Sequence, residues 1–455
     1  MTKVNNTTNK INARNVSLNI LTDIFNDKAY TNIAIDRCFS HNEMNKQDRA
    51  FITRIVEGTV EHVITIDYII NKFSKTKTRK MKKIILYILR LSVYQIKYMD
   101  KVPVSAVCNE AVKLTKKRKF NNLSGFVNGI LRNISRNLND IQYPNEIDEP
   151  VKYLSVVYSF PEYIIDLWLE YYDYDTVKEM CINSNKTVKT SIRCNLTKVS
   201  NTDLQNQLID ENVHVEEGKL LEYAMKIDNY NNIRSLQPFI EGKFSVQDES
   251  SMLVAHLAQP EGNSLVVDVC AAPGGKTTHF AELMKNTGCV DSRDIYPKKL
   301  HLIDENVKRL QLNNVTIREY NALETDKSLI EKADIVVADV PCSGLGIISK
   351  KPDIKYNIEK KDIEQLIEIQ RNILKVVYKY VKIGGILMFS TCTVNPEENI
   401  QNVRWFIDNF PFELVDFNDI LPDRIGSDTK GYIQLLPGQY DTDGFFIAKL
   451  RRIAK

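Results

Sequence analysis

A chain of 455 residues with 43% hydrophobic and 26% charged content can build two or three cores, which excludes a disordered or fibrous protein. No apolar run approaches the roughly 18–20 residues of a membrane span, and Met1-Thr2-Lys3-Val4-Asn5-Asn6 is too polar for a secretory leader, so a cytoplasmic location is expected. The net charge of +3 conceals a basic front: residues 1–140 carry 25 Lys and Arg against 11 Asp and Glu, and the remainder 36 against 47. That asymmetry predicts a polyanionic partner for the first part, nucleic acid above all, against the plainer reading of a solvated basic face.

Residues 11–137 read as successive helices. Apolar residues recur at helical spacing over Asn15–Phe25, Asp48–Val56 and Met81–Tyr98; Asp100-Lys101-Val102-Pro103 stops the third, and Val104–Leu114 starts another. Basic clusters at Lys72–Lys83 and Lys113–Lys119 fall at loops or helix ends. The second runs into Asn121–Arg132, whose Gly125 and Gly129 predict close helix packing or a phosphate-facing turn. Leu138–Pro150 reads as a linker. From 151 to 244 the pattern is mixed: Pro161–Tyr172 is helical, while Lys189–Leu196 and Arg234–Phe244 look like strands and turns.

From Ser245 strands and helices alternate as in a doubly wound sheet. The strand candidates are Leu265–Cys270, Cys289–Asp294, Val315–Tyr320, Asp334–Val340 and Gly385–Thr391, with Phe412–Phe417 and Gly444–Leu450 at the sheet edge. Helices are predicted over Thr277–Lys285, Pro297–Leu310, Ile358–Val381 and Pro396–Asn409. The expected organisation is an all-α domain over 1–140, a mixed α/β region over 151–244 and an α/β Rossmann-like domain over 245–455.

The strand Leu265–Cys270 delivers the chain to Ala271-Ala272-Pro273-Gly274-Gly275-Lys276, where small residues let backbone N–H groups approach a ligand at a helix start. Asp294, twenty residues past Gly274 and closing the next strand, stands where a nucleotide-binding fold places its ribose acid. Gly275-Lys276-Thr277 ends like a phosphate-binding loop, but Cys270 occupies the position of the first glycine, and no G-x-G-x-x-G is present. S-adenosylmethionine fits better, since no pyrophosphate has to be cradled.

The eight cysteines contain no C-x-x-C pair, which argues against a zinc site, and no metal is expected. A free cysteine is by default a small buried hydrophobe. Cys342, in Asp339-Val340-Pro341-Cys342-Ser343-Gly344, and Cys392, in Ser390-Thr391-Cys392-Thr393, depart from that default because each follows an apolar strand among turn residues. With the cofactor loop they point to methyl transfer to a pyrimidine ring. C5 of cytosine is a poor nucleophile until a thiolate adds to C6, so such an enzyme needs a nucleophilic thiol, a group on the N3/N4 edge and a second acid or base. Asp339, Cys342 and Cys392 are expected at the carboxyl edge of the sheet, and Lys276 near a thiol would favour its anion. Asp339 as a mere turn cap is the plainer alternative. Spacing alone leaves open which sulfur attacks; a DNA-type cytosine enzyme would use Cys342.

These segments together resemble the Sun family of RNA cytosine-C5 methyltransferases, and the helical front is similar to NusB-like RNA-binding domains. The resemblance implies that Cys392 is the nucleophile and that Cys342 assists product release. It implies cofactor contacts from Cys270, Ala271, Ala272, Pro273, Gly274, Gly275 and Lys276, and from Asp294, Asn321 and Asp339. A 16S ribosomal RNA substrate, free or in a partly assembled small subunit, and a monomeric enzyme follow from the same likeness. The segments Phe244–Ser251 and Pro437–Phe446 also look like the family's, and Arg193 with Asn195 matches a pair expected on the RNA path. Asn321 departs from the usual aspartate, Lys350 and Lys351 from arginines, and Thr393 from serine. The competing class is a non-catalytic RNA-binding assembly factor on a methyltransferase scaffold.

Overall fold

The computed structural model describes residues 12–27, 29–42, 44–426 and 429–453, so the Met1–Asn6 segment lies outside the described residues. The chain divides into two compact units. One runs to Asn185 and takes in Lys350–Asn357; the other holds Lys186–Ser349 and Ile358 onward. Among the described residues no helix is long and apolar enough to cross a membrane.

The first unit is helical. Lys83–Tyr98 is buried through Ile85–Leu89 and again through Leu91–Gln95, which makes it the centre of the bundle. Ala13–Asp27, Lys46–Glu61, Val63–Phe73, Val104–Lys117 and Ser124–Arg136 supply apolar stripes to the same core. Thr31–Ser40 and Val63–Phe73 were not resolved by periodicity; a single residue, His62, separates the latter from its predecessor and no breaker marks the join. The stretch 121–132 is helical from Ser124, and its glycines do not serve close packing: a Cβ at Gly125 or Gly129 would meet nothing within 4 Å. They share an exposed face with Arg132 and Arg136, while Val127, Ile130, Leu131 and Ile134 turn inward. The predicted helix Ile358–Val381 is found as Lys360–Val377, and Val381 already opens the next strand. Ile354–Asn357 is a short turn of the first unit, where buried Lys355 donates to Glu61 O at 3.0 Å and Asn185 Oδ1 at 3.2 Å. Lys360–Val377 starts afresh behind a reciprocal Glu359–Asp362 cap.

The second unit contains two sheets. The smaller has the antiparallel order β2-β3-β1-β4, with β1 Thr190–Cys194, β2 His214–Glu217, β3 Ala224–Asp228 and β4 Phe244–Val246. β2 was not foreseen because it is largely exposed and its sequence lacks alternation. The larger sheet comprises β5 Leu265–Asp268, β6 Cys289–Asp294, β7 Val315–Glu319, β8 Ala333–Asp339, β9 Val381–Thr391, β10 Phe412–Leu414, β11 Tyr432–Leu435 and β12 Phe445–Arg452. Its order is β10-β12-β9-β8-β5-β6-β7, with β11 on β12. β5 to β9 pair in parallel, whereas β12 runs antiparallel to β9, β10 and β11. The two-residue period sorts the strands between two cores: Val266, Val337 and Met388 face one, Val267, Val336 and Leu387 the other. With both faces covered, ligand access is left to the carboxyl edge, where the order reverses between β5 and β8.

Candidate active site

The loop after β5 turns at Gly274, whose φ of +99° suits glycine and whose added Cβ would press on Ile303 at 3.2 Å. The helix Gly275–Leu283 begins there. Asp294, closing β6, accepts from Ala272 N at 3.2 Å and from Tyr296 N at 3.0 Å, so the spaced acid and the small-residue loop are joined directly. Asn321 follows β7 and accepts from Leu323 N at 3.1 Å. Asp339 closes β8; its Oδ2 accepts from Lys276 Nζ at 2.7 Å and its Oδ1 from Ser390 Oγ at 2.8 Å. The edge therefore carries, in sheet order, Asp339, the Cys270–Lys276 loop, Asp294 and Asn321. The expected partnership of Lys276 with a thiol is not what is found: its ammonium is bound to Asp339.

Cys342 and Cys392, both half-buried, lie with their sulfurs 3.3 Å apart. Gly346 threads between two segments of the chain, donating to Cys392 O at 3.0 Å and accepting from Gly444 N at 2.8 Å. The Asp443 amide donates to Asp248 Oδ1 at 3.2 Å, which brings the Phe244–Ser251 and Pro437–Phe446 segments together beside the thiols' loops. The hydrogen bond to Cys392, then burial and the Glu398 charge, push the Cys342 thiol well above its ordinary range.

A family described as 16S rRNA methyltransferase RsmB/F matches residues 255–451. The NusB family matches 11–136, and the ferredoxin-like domain of RsmF/B-like methyltransferases matches 160–234. A probable ribosomal RNA small subunit methyltransferase B of Bacillus subtilis is 36% identical over 447 residues, covering 97% of this chain and 99% of its own. A Synechocystis protein of the same description is 33% identical, covering 97% and 100%. The chain belongs to the RsmB/F family. The crystal structure of PH0851 superposes with a TM-score of 0.81 at 25% identity, covering 97% of this chain and 99% of that one. A methyltransferase homologue from Pyrococcus horikoshii gives 0.57 at 27% identity over 66% and 98%. The three-part architecture, a NusB-like helical front, a ferredoxin-like middle and a methyltransferase end, is that of the family, and the chain is a ribosomal RNA methyltransferase that uses S-adenosylmethionine.

The edge fits that cofactor. Asp268, the last residue of β5, is buried; its Oδ2 accepts from Thr277 Oγ1 at 2.7 Å, but its Oδ1 closes no hydrogen bond. Burial above all, with the charge of Asp339, raises its carboxyl to about 7 against the opposing Thr277 bond and Lys276. A cationic amino group would satisfy that oxygen. Beside Asp294 and Asn321, Ile295 and Leu323 remain 47% and 45% exposed, an apolar surface suited to adenine. Nothing in the local pattern singles out Asp268 beyond its place before the loop.

Arg193 and Asn195 do not face solvent or an RNA path. Arg193 is 1% exposed and grips Glu282 at 3.1 and 2.9 Å, Gly275 O at 3.0 Å and the Gln247 side chain. Asn195 is sealed against Gly242 O at 3.1 Å. Arg193 braces the helix Gly275–Leu283.

Proposed function

We propose that the chain methylates C5 of a cytosine in 16S ribosomal RNA through a transient bond between Cys392 Sγ and ring carbon C6. The 3.3 Å pairing of Cys392 with Cys342, at the ends of adjacent strands on the cofactor edge, carries this reading. Attack by Cys392 on C6 passes electron density to C5, which turns an inert carbon into a nucleophile. S-adenosylmethionine supplies the electrophilic methyl group. Residues 270 to 276 of the loop (Cys270, Ala271, Ala272, Pro273, Gly274, Gly275 and Lys276) would hold its body, with Asp294 on the ribose and Asn321 on the adenine. Asp268 Oδ1 takes its ammonium. Asp339, fixed by Lys276 and Ser390, meets the N3/N4 edge of the base. Once a base has taken the C5 proton, the C6–S bond breaks, and the Cys342 S–H stabilises the departing Cys392 thiolate by hydrogen bonding.

In this reading residues 1–140 anchor RNA, 151–244 contact it and 245–455 perform the chemistry, on free RNA or a partly assembled small subunit. The exposed face of Gly125, Gly129, Arg132 and Arg136 supports the anchoring role, since bare backbone and guanidinium groups suit phosphate. Incubation of Cys392→Ser and Cys342→Ser with S-adenosylmethionine and 16S RNA tests the assignment on a denaturing gel. Cys342→Ser is expected to accumulate an enzyme–RNA adduct and Cys392→Ser to form none; the opposite pattern would reverse the roles.

A further inference from the structure

Six residues past Cys392 lies a buried carboxylate to which neither motif assigns a role. Glu398 is 0% exposed. Its Oε2 accepts from the Ser343 amide at 2.8 Å and from Gln370 Nε2 at 3.1 Å; its Oε1 accepts from Ser343 Oγ at 2.5 Å and from Asn395 Nδ2 at 3.3 Å. The Thr393 hydroxyl joins the cluster, 2.7 Å from Ser343 Oγ and 3.4 Å from Glu398 Oε1. Gln370 reaches on to Pro341 O at 2.9 Å and is itself held by Asn402 at 2.7 Å. Ser343 is the chain neighbour of Cys342, and Thr393 that of Cys392. One carboxylate thus grips the residue after each thiol.

We propose that Glu398 is a positioning residue that fixes the separation of the two sulfurs, by clamping Ser343 and Thr393 to a single acceptor. The proposal rests on the covalent reading above and deepens it. A carboxylate suits the place because every neighbour presents a hydrogen: the isosteric amide of glutamine turns one acceptor into a donor and sets it against the Ser343 and Gln370 donors. Loosening of the clamp moves the thiols apart, and a displacement of about 1 Å at reacting groups costs on the order of 100-fold in rate.

The spacing can be read without RNA. Wild-type chain and Glu398→Gln are treated with diamide, and the Cys342–Cys392 disulfide is followed by peptide mass spectrometry; bond formation needs the sulfurs to close from 3.3 Å to about 2.05 Å. The proposal expects disulfide formation to slow by about tenfold or more, and kcat for methyl transfer to fall by about 100-fold, with KM for S-adenosylmethionine held within about twofold. Ser343→Ala, which removes the hydroxyl link and leaves the carboxylate, is expected to give an intermediate loss in both and serves if Glu398→Gln does not fold. An unchanged disulfide rate in the folded variants overturns the clamp, as does an equal loss of cofactor affinity, which marks a merely structural role. A slowed disulfide without any methyl transfer to cytosine in the wild type would keep the clamp and remove the reaction assigned to it.

Discussion

Gly346→Ala is the most demanding test of how the thiol loops are held. The glycine lies between Cys392 and Gly444, bonded to both backbones, and an added Cβ would run into the Gly444 carbonyl oxygen while standing 2.6 Å from its carbon and 2.9 Å from Cys392 O. These are backbone atoms, so no side chain can swing aside. Restoring an ordinary contact of about 3.5 Å moves the neighbouring segments by about 1–1.5 Å, and one of the two segments in the way carries Cys392, the nucleophile proposed above. We expect kcat to fall by about 100-fold, which corresponds to about 2.7 kcal/mol of lost transition-state stabilisation. Cofactor affinity stays near wild type because the loop after β5 is untouched. Single-turnover transfer of labelled methyl groups to 16S RNA, alongside calorimetric binding of S-adenosylmethionine, separates the two. A rate within threefold of wild type would refute the close approach and the positioning built on it.

Asp268 predicts a pH dependence with a definite sign. Its carboxyl titrates near 7 in the folded chain against 3.8 ordinarily, so its contribution to stability is complete below 3.8 and is lost as the pH rises to 7. Cofactor binding should run the other way, tightening about tenfold per pH unit up to about 7 and then levelling, and Asp268→Asn should flatten the profile. Arg193→Met leaves Glu282 charged and buried, which is expected to cost about 3–5 kcal/mol in urea unfolding, with most of it recovered when Glu282→Leu is added. Arg132→Glu with Arg136→Glu should weaken RNA binding and reduce the slope of log affinity against log salt by about 2, whereas an unchanged slope removes that face from the RNA path.

Periodicity revealed the bundle and the doubly wound sheet because both depend on long apolar patterns, as in Lys83–Tyr98 and β5 to β9. The small-residue turn after β5 and the close of β6 at Asp294 were legible from spacing, since chain geometry fixes where a βα turn and the next strand end. What stayed hidden depends on contacts between distant segments. Glu398 sits in Asn395-Pro396-Glu397-Glu398-Asn399, where a buried acid and a half-buried one look alike, and only the fold shows Ser343 donating to it. Arg193, expected on the RNA path from the family likeness, was hidden for the same reason: Glu282, 89 positions along the chain, is its partner. Lys355 lies in a charged stretch, Lys350–Asn357, yet it is buried among helices of the first unit, where burial lowers its ammonium to about 8.

The central claim is that sulfur 392 bonds to a base, and mass spectrometry of the species trapped by Cys342→Ser addresses it directly. Proteolysis and nuclease digestion of that adduct should leave a methylated cytidine on the peptide that contains Cys392. A nucleotide on any other residue, or methylated RNA produced at the wild-type rate by Cys392→Ser, would contradict the account.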